Sequence, residues 1–265
     1  MDFLHLILLG LIQGLTEFLP VSSSAHLILL PLITDWQDQG LVLDAAAHFG
    51  TLIAVVIYFR RDLKGIVSAG FKSVPWQDND LNSRLFWFLI LATIPVSVVG
   101  FFGHDLIANY FRDPLIIAIA TILFGFLLWW SDASGEQDRY DKNLSLKDII
   151  WIGFAQILAL IPGASRSGVT MTAGLILGLN RKTAARFSFL LSIPVIFLAG
   201  SYEAFSLIRK GSETDLVSFV TVFLVSWFAA WLTIDLFLRF VEKTGMLPYV
   251  IYRFLLGSVL LYFFL

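Results

Sequence analysis

The stretch QGLTEFLPVSSSAH, residues Gln13 to His26, decides how the chain is read. It sets a carboxylate, three consecutive serines and a histidine between apolar residues, LHLILLGLI before and LILLPLI after. Ionisable groups at membrane depth cost about 2.5–3.5 kcal/mol each on insertion scales, so they mark function by default. Pro20 closes a first apolar piece, residues 3–19, and the second, Ala25 to Ile33, is too short to span alone. Two short pieces around a polar break read as a re-entrant hairpin. Such backbone is tolerated in a bilayer only where protein or a water-filled cavity satisfies it.

The composition agrees with a membrane setting. The chain has 265 residues, 58% hydrophobic and 14% charged, where a soluble domain carries about 25% charged residues. Its mean hydropathy is +0.82. The net charge of −2 lies in loops and says little about partners. With no cysteine there is neither a disulfide nor a thiolate metal site. A cleaved signal peptide over the first 25 residues is disfavoured. Met1-Asp2 carries no positive charge, and Gln13 and Glu17 interrupt the apolar run.

Beyond the opening stretch the apolar runs predict six spans: Leu41–Phe59, Leu85–Gly103 with Pro95, Pro114–Trp130, Phe187–Ile208 with Pro194, Leu216–Phe240 and Pro248–Leu265. The segment with Arg60, Arg61, Lys64, Lys72 and Arg84 reads as a loop, and Ser131–Asp148 is the most polar stretch. After it, residues 149–161 and 168–179 again flank a polar break, PGASRSGVT from Pro162 to Thr170.

The halves look alike. Pro20 and Pro162 each follow a Gln-containing piece (GLIQ, GFAQ), have Ser three residues later and lie 142 apart. AAHFG from Ala46 matches AARFS from Ala184, which aligns His48 with Arg186, and Pro114 matches Pro248. Ordered matches with a drifting offset suggest an internal repeat. Each unit contains three spans, an odd number, so the second is inverted. The expected fold is an all-α polytopic membrane protein, one integral domain over 1–265. Repeat one covers about 1–131, a polar inside loop 131–148, and repeat two about 149–265. Each unit is one re-entrant helical hairpin plus three transmembrane helices. With both termini outside, the inside loops hold thirteen of eighteen Lys and Arg, and the outside loops hold Arg112, Arg209 and Lys210. Arg166 and Arg253 stay at membrane depth. Inverted hairpins of this kind meet near the midplane, as in secondary transporters.

The chemistry follows from the two breaks. Gln13 and Glu17 are four apart and share a helix face. Glu17 is read as a base, a proton carrier, a cation ligand with Gln13, or a member of a structural polar pair. Ser22, Ser23 and Ser24 precede a helix, where serine commonly caps and free N–H groups bind anions. His26 lies in the first turn, close to them, and a serine needs a base to act as nucleophile. Arg166 carries a planar fork suited to phosphate, or else pairs with Glu17 alone. Thr170 lies on the same face as Arg166 and caps, bonds a carbonyl or touches phosphate. Arg253 and Asp235 are expected to be structural and to pair with each other. Gly10-x-x-x-Gly14 and Gly174-x-x-x-Gly178 suggest close helix packing. Two helix ends, an Arg, hydroxyls and a carboxylate suit a diphosphate, whose transfer chemistry is mostly positioning and charge stabilisation.

At these residues the chain resembles the undecaprenyl-diphosphate phosphatases of the bacitracin-resistance family. The family's E/Q-x-x-x-E, P-V-S-S-x-x-H and P-G-x-S-R-S-x-x-T motifs read here QGLTE, PVSSSAH and PGASRSGVT. The resemblance covers the whole chain, with Gln in place of Glu at position 13. It implies hydrolysis of undecaprenyl diphosphate to the monophosphate and phosphate on the outer face of the bacterial cytoplasmic membrane. It also implies carrier recycling for peptidoglycan synthesis, bacitracin resistance and a divalent cation, Mg²⁺ or Ca²⁺. The motif positions are Gln13, Glu17, Ser22, Ser23, His26, Ser165, Arg166, Ser167 and Thr170. Ser23 is expected as nucleophile, with Glu17 and His26 as base and orienting group, while His26 or water as nucleophile stays open. Expected partners are a polyprenyl diphosphate lipid and the bilayer, with no nucleic acid, and a homodimer is left open. The alternative is a transporter or flippase of an anionic lipid.

Overall fold

A computed structural model describes residues 2–34, 36, 40–74, 80–111, 113–210 and 215–265. Arg112 lies outside the described residues, as do the side chains of Arg209 and Lys210. Among the described residues the chain is all-helical apart from one isolated bridge between Arg139 and Leu179. Six segments of the described residues are long and apolar enough to cross a membrane: Gly40–Tyr58, Leu81–Gly103, Pro114–Ser134, Arg181–Tyr202, Leu216–Thr244 and Leu247–Phe264. They belong to helices α3 (Gly40–Tyr58), α5 (Leu81–Tyr110), α6 (Pro114–Ser134), α9 (Arg181–Lys210), α10 (Leu216–Thr244) and α11 (Leu247–Phe264). The pieces flanking the two polar breaks are shorter: α1 (Phe3–Thr16), α2 (Ser23–Thr34), α7 (Leu146–Ala155) with a 3₁₀ turn Gln156–Leu160, and α8 (Arg166–Ile176).

The stretch after Tyr58, expected to be a loop, contains helix α4 (Arg60–Lys72). Its apolar residues Leu63, Ile66 and Gly70 recur at helical spacing and turn inward, while its charges stay exposed. Phe71 packs on Phe86 of α5, with ring centroids 5.6 Å apart. Helix α9 starts six residues earlier than expected. Asn180 caps it by accepting from the Thr183 N–H at 2.8 Å, so Arg181 and Lys182 form its first turn. Aspartates with proline or apolar neighbours start two other spans. Asp113 accepts from the Leu115 N–H at 2.7 Å and Asp215 from the Val217 N–H at 3.1 Å.

Helix α10 packs along α3 and α1, and α11 along α6. Gly14 makes the contact between α1 and α10 close. A Cβ there would lie 2.6 Å from the Ala229 Cβ and 2.7 Å from the Ser226 carbonyl, so the expected packing role of Gly10 and Gly14 holds. Gly178 acts differently from the expectation. Its φ of +83° turns the chain out of α8, where an L side chain is strained. The deep core is aromatic: Phe18 meets Phe189 edge-on at 5.2 Å, and Phe237 follows at 5.6 Å.

The loop cations gather at one end of the bundle. Arg139 pairs with Asp148 at 2.6 Å, Arg181 with Asp132 at 2.6 Å, and Arg186 with both Asp62 (3.0 Å) and Asp141 (2.5 Å). Arg84 of α5 donates to the Leu144 carbonyl at the same end. These bonds tie the starts of α5, α7 and α9 to the end of α6, which leaves the two polar breaks deep in the bundle.

Candidate active site

Each break is a helix start built the same way. Helix α1 ends at Thr16, and residues 17–21 turn. Ser22 then adopts φ +73°, and its hydroxyl accepts from the Ala25 N–H at 3.4 Å. At the second break Ser165 adopts φ +71°, and its hydroxyl accepts from the Gly168 N–H at 3.2 Å. Ser22 Oγ lies 3.2 Å from Ser24 Oγ, and Ser165 Oγ lies 3.1 Å from Ser167 Oγ. The equivalent of Ser165 is therefore Ser22, and not Ser23 as counting from the prolines suggested. One extra residue sits between Pro162 and Ser165. The positions that follow the caps are Ser23 and Arg166, and both reach the same carboxylate.

That carboxylate is Glu17. Its Oε2 accepts from Ser23 Oγ at 2.7 Å and from Gln13 Nε2 at 2.9 Å. Its Oε1 accepts from Arg166 Nη2 at 2.8 Å. Arg166 also donates from Nη1 to the Ser188 carbonyl at 3.1 Å, and its Cζ lies 5.9 Å from the Phe18 ring centroid. Buried on most sides, the pair joins two residues 149 apart in the chain.

The remaining hydroxyls hold structure. Ser167 Oγ donates to the Leu19 carbonyl at 2.9 Å, which binds the second break to the first. Its proton is then committed, so Ser165 donates to Ser167 Oγ. Thr170 bonds the Arg166 carbonyl at 2.9 Å and lies 2.7 Å from Ser188 Oγ, where it is buried and fastens α8 to α9. Of the serines at the two breaks, only Ser23 couples its hydroxyl to a carboxylate.

His26 is not with them. Its Nδ1 lies 2.7 Å from the Ser22 carbonyl, which requires an N–H there. Its Nε2 is 2.6 Å from the Tyr252 hydroxyl, and the two rings stack at 5.7 Å. The structure does not bring His26 to Glu17 or Ser23: the helical step from Ser22 turns the imidazole toward α11.

Arg253 is also placed differently. It is fully buried and does not meet Asp235. Its Nε donates to the Thr121 carbonyl (3.0 Å), Nη1 to Pro20 (3.1 Å) and Ala164 (3.0 Å), and Nη2 to Gly163 (2.7 Å). Asp235 instead pairs with Arg239, four residues on along the same face, at 2.9 Å. Arg253 thus clamps both breaks through their backbone, a role invisible in a lone Arg within an apolar run. Tyr252 and Ser188 carried no sequence signal at all. His48 lies within α3, its Nδ1 2.8 Å from the Asp44 carbonyl.

The expected cation site was tested on its donors. Gln13 Oε1 is a buried acceptor without a partner. Both Glu17 oxygens, however, already face Arg166, Ser23 and Gln13. Among the described residues no group of three acidic, His or Cys side chains gathers to hold a metal. A hard divalent ion takes six or more oxygens, so these residues do not fit a resident ion.

Residues 6–259 match the family described as bacitracin resistance protein BacA. The chain belongs to the BacA family. A relative from Stutzerimonas stutzeri (strain A1501), named undecaprenyl-diphosphatase 2, is 52% identical over 267 residues, covering 100% of this chain and 99% of its own. Another from Nitrosococcus oceani, named undecaprenyl-diphosphatase, is 49% identical and fully covered on both sides. A third, from Chromohalobacter salexigens and of the same name, is 50% identical over 98% of each chain. The BacA match spans both breaks together with Tyr252 and Arg253 of α11, so the residues that converge on Glu17 and those that clamp it lie within one family unit.

Proposed function

We propose that this protein hydrolyses undecaprenyl diphosphate to undecaprenyl phosphate and inorganic phosphate. That activity recycles the lipid carrier for cell-wall synthesis and confers bacitracin resistance. The observation that carries the reading is the Glu17 carboxylate, held between Ser23 of one helix start and Arg166 of the other. Two helix N-termini and a guanidinium favour a polyanion, and a carboxylate-bound hydroxyl supplies a nucleophile with its base.

In the proposed reaction the diphosphate draws Arg166 from Glu17 toward its own oxygens. Ser23 Oγ then attacks the terminal phosphorus while its proton passes to Glu17 Oε2. The bridging P–O bond breaks, and undecaprenyl phosphate leaves with the bond's electron pair. Water cleaves the seryl phosphate, releasing inorganic phosphate and restoring Ser23. Arg166 and the helix N-termini stabilise the charge that spreads over the equatorial oxygens. The divalent cation is proposed as a counter-ion carried on the diphosphate, not as a ligand of the Gln13–Glu17 pair.

The same reading proposes two re-entrant hairpins, α1–α2 and α7–α8, as the tips of an inverted repeat. The shared φ and capping pattern of Ser22 and Ser165 supports it. The ion-paired end is proposed as cytoplasmic, by the excess of Lys and Arg there. Both termini then face outside, and the site opens to the outer leaflet.

The test is phosphate release from undecaprenyl diphosphate by purified protein in detergent, for wild type, Glu17→Ala and Arg166→Ala, with and without chelator. Release that both substitutions abolish is expected. Transbilayer movement of the lipid without phosphate release would favour a transporter instead.

A further inference from the structure

A groove of about 590 Å³ runs between α1, α2 and α11. One wall comes from α2, where His26, Leu29 and Leu30 share a helix face. The other comes from α11, where Leu256, Val259 and Phe263 recur at the same spacing. Leu29 and Leu260 are buried in its floor, whereas Val259 is 51% and Phe263 69% exposed at its rim. His26 is the single polar side chain in the lining. It sits at the end where α2 begins, its Nδ1 on the carbonyl of the capping Ser22 and its Nε2 beside Tyr252.

The groove is therefore polar at one end and hydrocarbon along its length. Its polar end is the same turn that presents Ser23 to Glu17. From Tyr252 to Phe263 the helix advances about 16 Å at 1.5 Å per residue. That shape matches an amphiphile whose anionic head rests at the serine turn and whose chain leaves along α2 and α11. A second groove of about 340 Å³, between α5 and α9, reaches the other break at Leu160, an apolar residue. Its lining carries Ser97 and Tyr202 but no residue of either helix start.

We infer that the α1–α2–α11 groove holds the first isoprenoid units of the lipid substrate, and that the His26–Tyr252 pair marks where the chain gives way to diphosphate. The inference rests on the diphosphatase activity proposed above. Lipid that merely fills an apolar slot would show no preference for isoprenoid over acyl chains, whereas a substrate channel shows one.

The first experiment photolyses a long-chain isoprenyl diphosphate, with a diazirine in its proximal units, on the purified full chain. Labelled peptides are expected from α2 and α11, lost on adding undecaprenyl diphosphate and retained with excess phosphatidylglycerol. Labelling on α5 and α9, or equal loss with phosphatidylglycerol, overturns the inference. The second experiment compares Val259→Trp in this groove with Leu198→Trp in the other. For Val259→Trp the KM for undecaprenyl diphosphate is expected to rise roughly tenfold, the effect of about two displaced methylenes. Turnover of a one-unit prenyl diphosphate, which ends short of Val259, stays unchanged. Leu198→Trp leaves both substrates unchanged, and the reverse pattern between the two variants overturns the inference. If wild type releases phosphate from neither substrate, the diphosphatase activity falls, while the labelling pattern still decides the groove.

Discussion

Glu17→Gln separates the two tasks of this carboxylate. The side chains of Glu17 and Arg166 are only 7% and 12% exposed, and their atoms lie 2.8 Å apart. Removing one partner of a buried pair costs about 3–5 kcal/mol, because the other charge is left uncompensated. The glutamine amide has one acceptor oxygen where the carboxylate has two. Turned toward Arg166, its Nε2 meets a donor; turned toward Ser23 and Gln13, it makes both turn to accept and leaves Arg166 only a neutral oxygen. Arg166→Gln should cost a similar amount, and the double variant much less than the sum, with a coupling of about 2 kcal/mol or more. Unfolding in detergent by SDS, followed by tryptophan fluorescence on all four proteins, closes the cycle. On the catalytic side Glu17→Gln should lower kcat at least ~100-fold, the usual contribution of a general base. KM should not rise, because Arg166 is freed for phosphate. A coupling below about 0.5 kcal/mol, the scatter of independent sites, would refute the energetic argument. An unchanged kcat would refute the base.

Arg253→Met leaves four carbonyls without their donor. At ~0.6 kcal/mol per membrane hydrogen bond to about 1.5 kcal/mol, the loss is about 2–6 kcal/mol, and Arg253→Lys should recover part of it in the same unfolding assay. Tyr252→Phe removes the hydroxyl at His26 Nε2. A hydrogen bond worth about 1 kcal/mol predicts a roughly fivefold fall in kcat/KM, and an unchanged value would show that His26 needs no anchor. Asp148 supplies a pH test at the charged end. Burial pushes its carboxyl up, but bonds from Arg139 and Ser145 outweigh this and hold it below its ordinary value of 3.8. A lowered folded pKa means stability present above pH 3.8 and lost as pH falls through the folded value. Thermal unfolding of wild type should therefore drop in that acid window, while Asp148→Asn starts lower at neutral pH and shows a smaller step.

The spans were legible because hydrocarbon thickness fixes their length and apolarity, so a run such as Leu216–Phe240 needs no tertiary information. Helix α4 escaped because its apolar stripe of Leu63, Ile66 and Gly70 is short and interleaved with five charged residues. The α9 start escaped because Arg181 and Lys182 look like loop residues until Asn180 caps them. Within the site, residue types at fixed helical spacing marked Gln13, Glu17 and Arg166. Direction was another matter. His26 lies one turn from Ser22, yet that turn aims it at Tyr252 rather than at Glu17. Arg253 looked like a partner for Asp235, since a buried charge prompts a search for its opposite. Carbonyls at two non-helical turns, with one from α6, satisfied it instead, because bent backbone in a bilayer must find donors.

The amino-acid sequence by itself determined that this is a helical membrane protein with two polar breaks, and which side chains those breaks carry. These properties are local, set by hydropathy over one helix length and by residue identity. Only the tertiary structure decided that Glu17 answers to Ser23 and Arg166 at once, that Ser22 and not Ser23 is the cap, and that Arg253 holds the breaks together. The roles of Arg166 and Arg253 depend on relative placement of segments more than a hundred residues apart. A one-residue difference in a turn, such as that between Pro162 and Ser165, changes which side chain points inward.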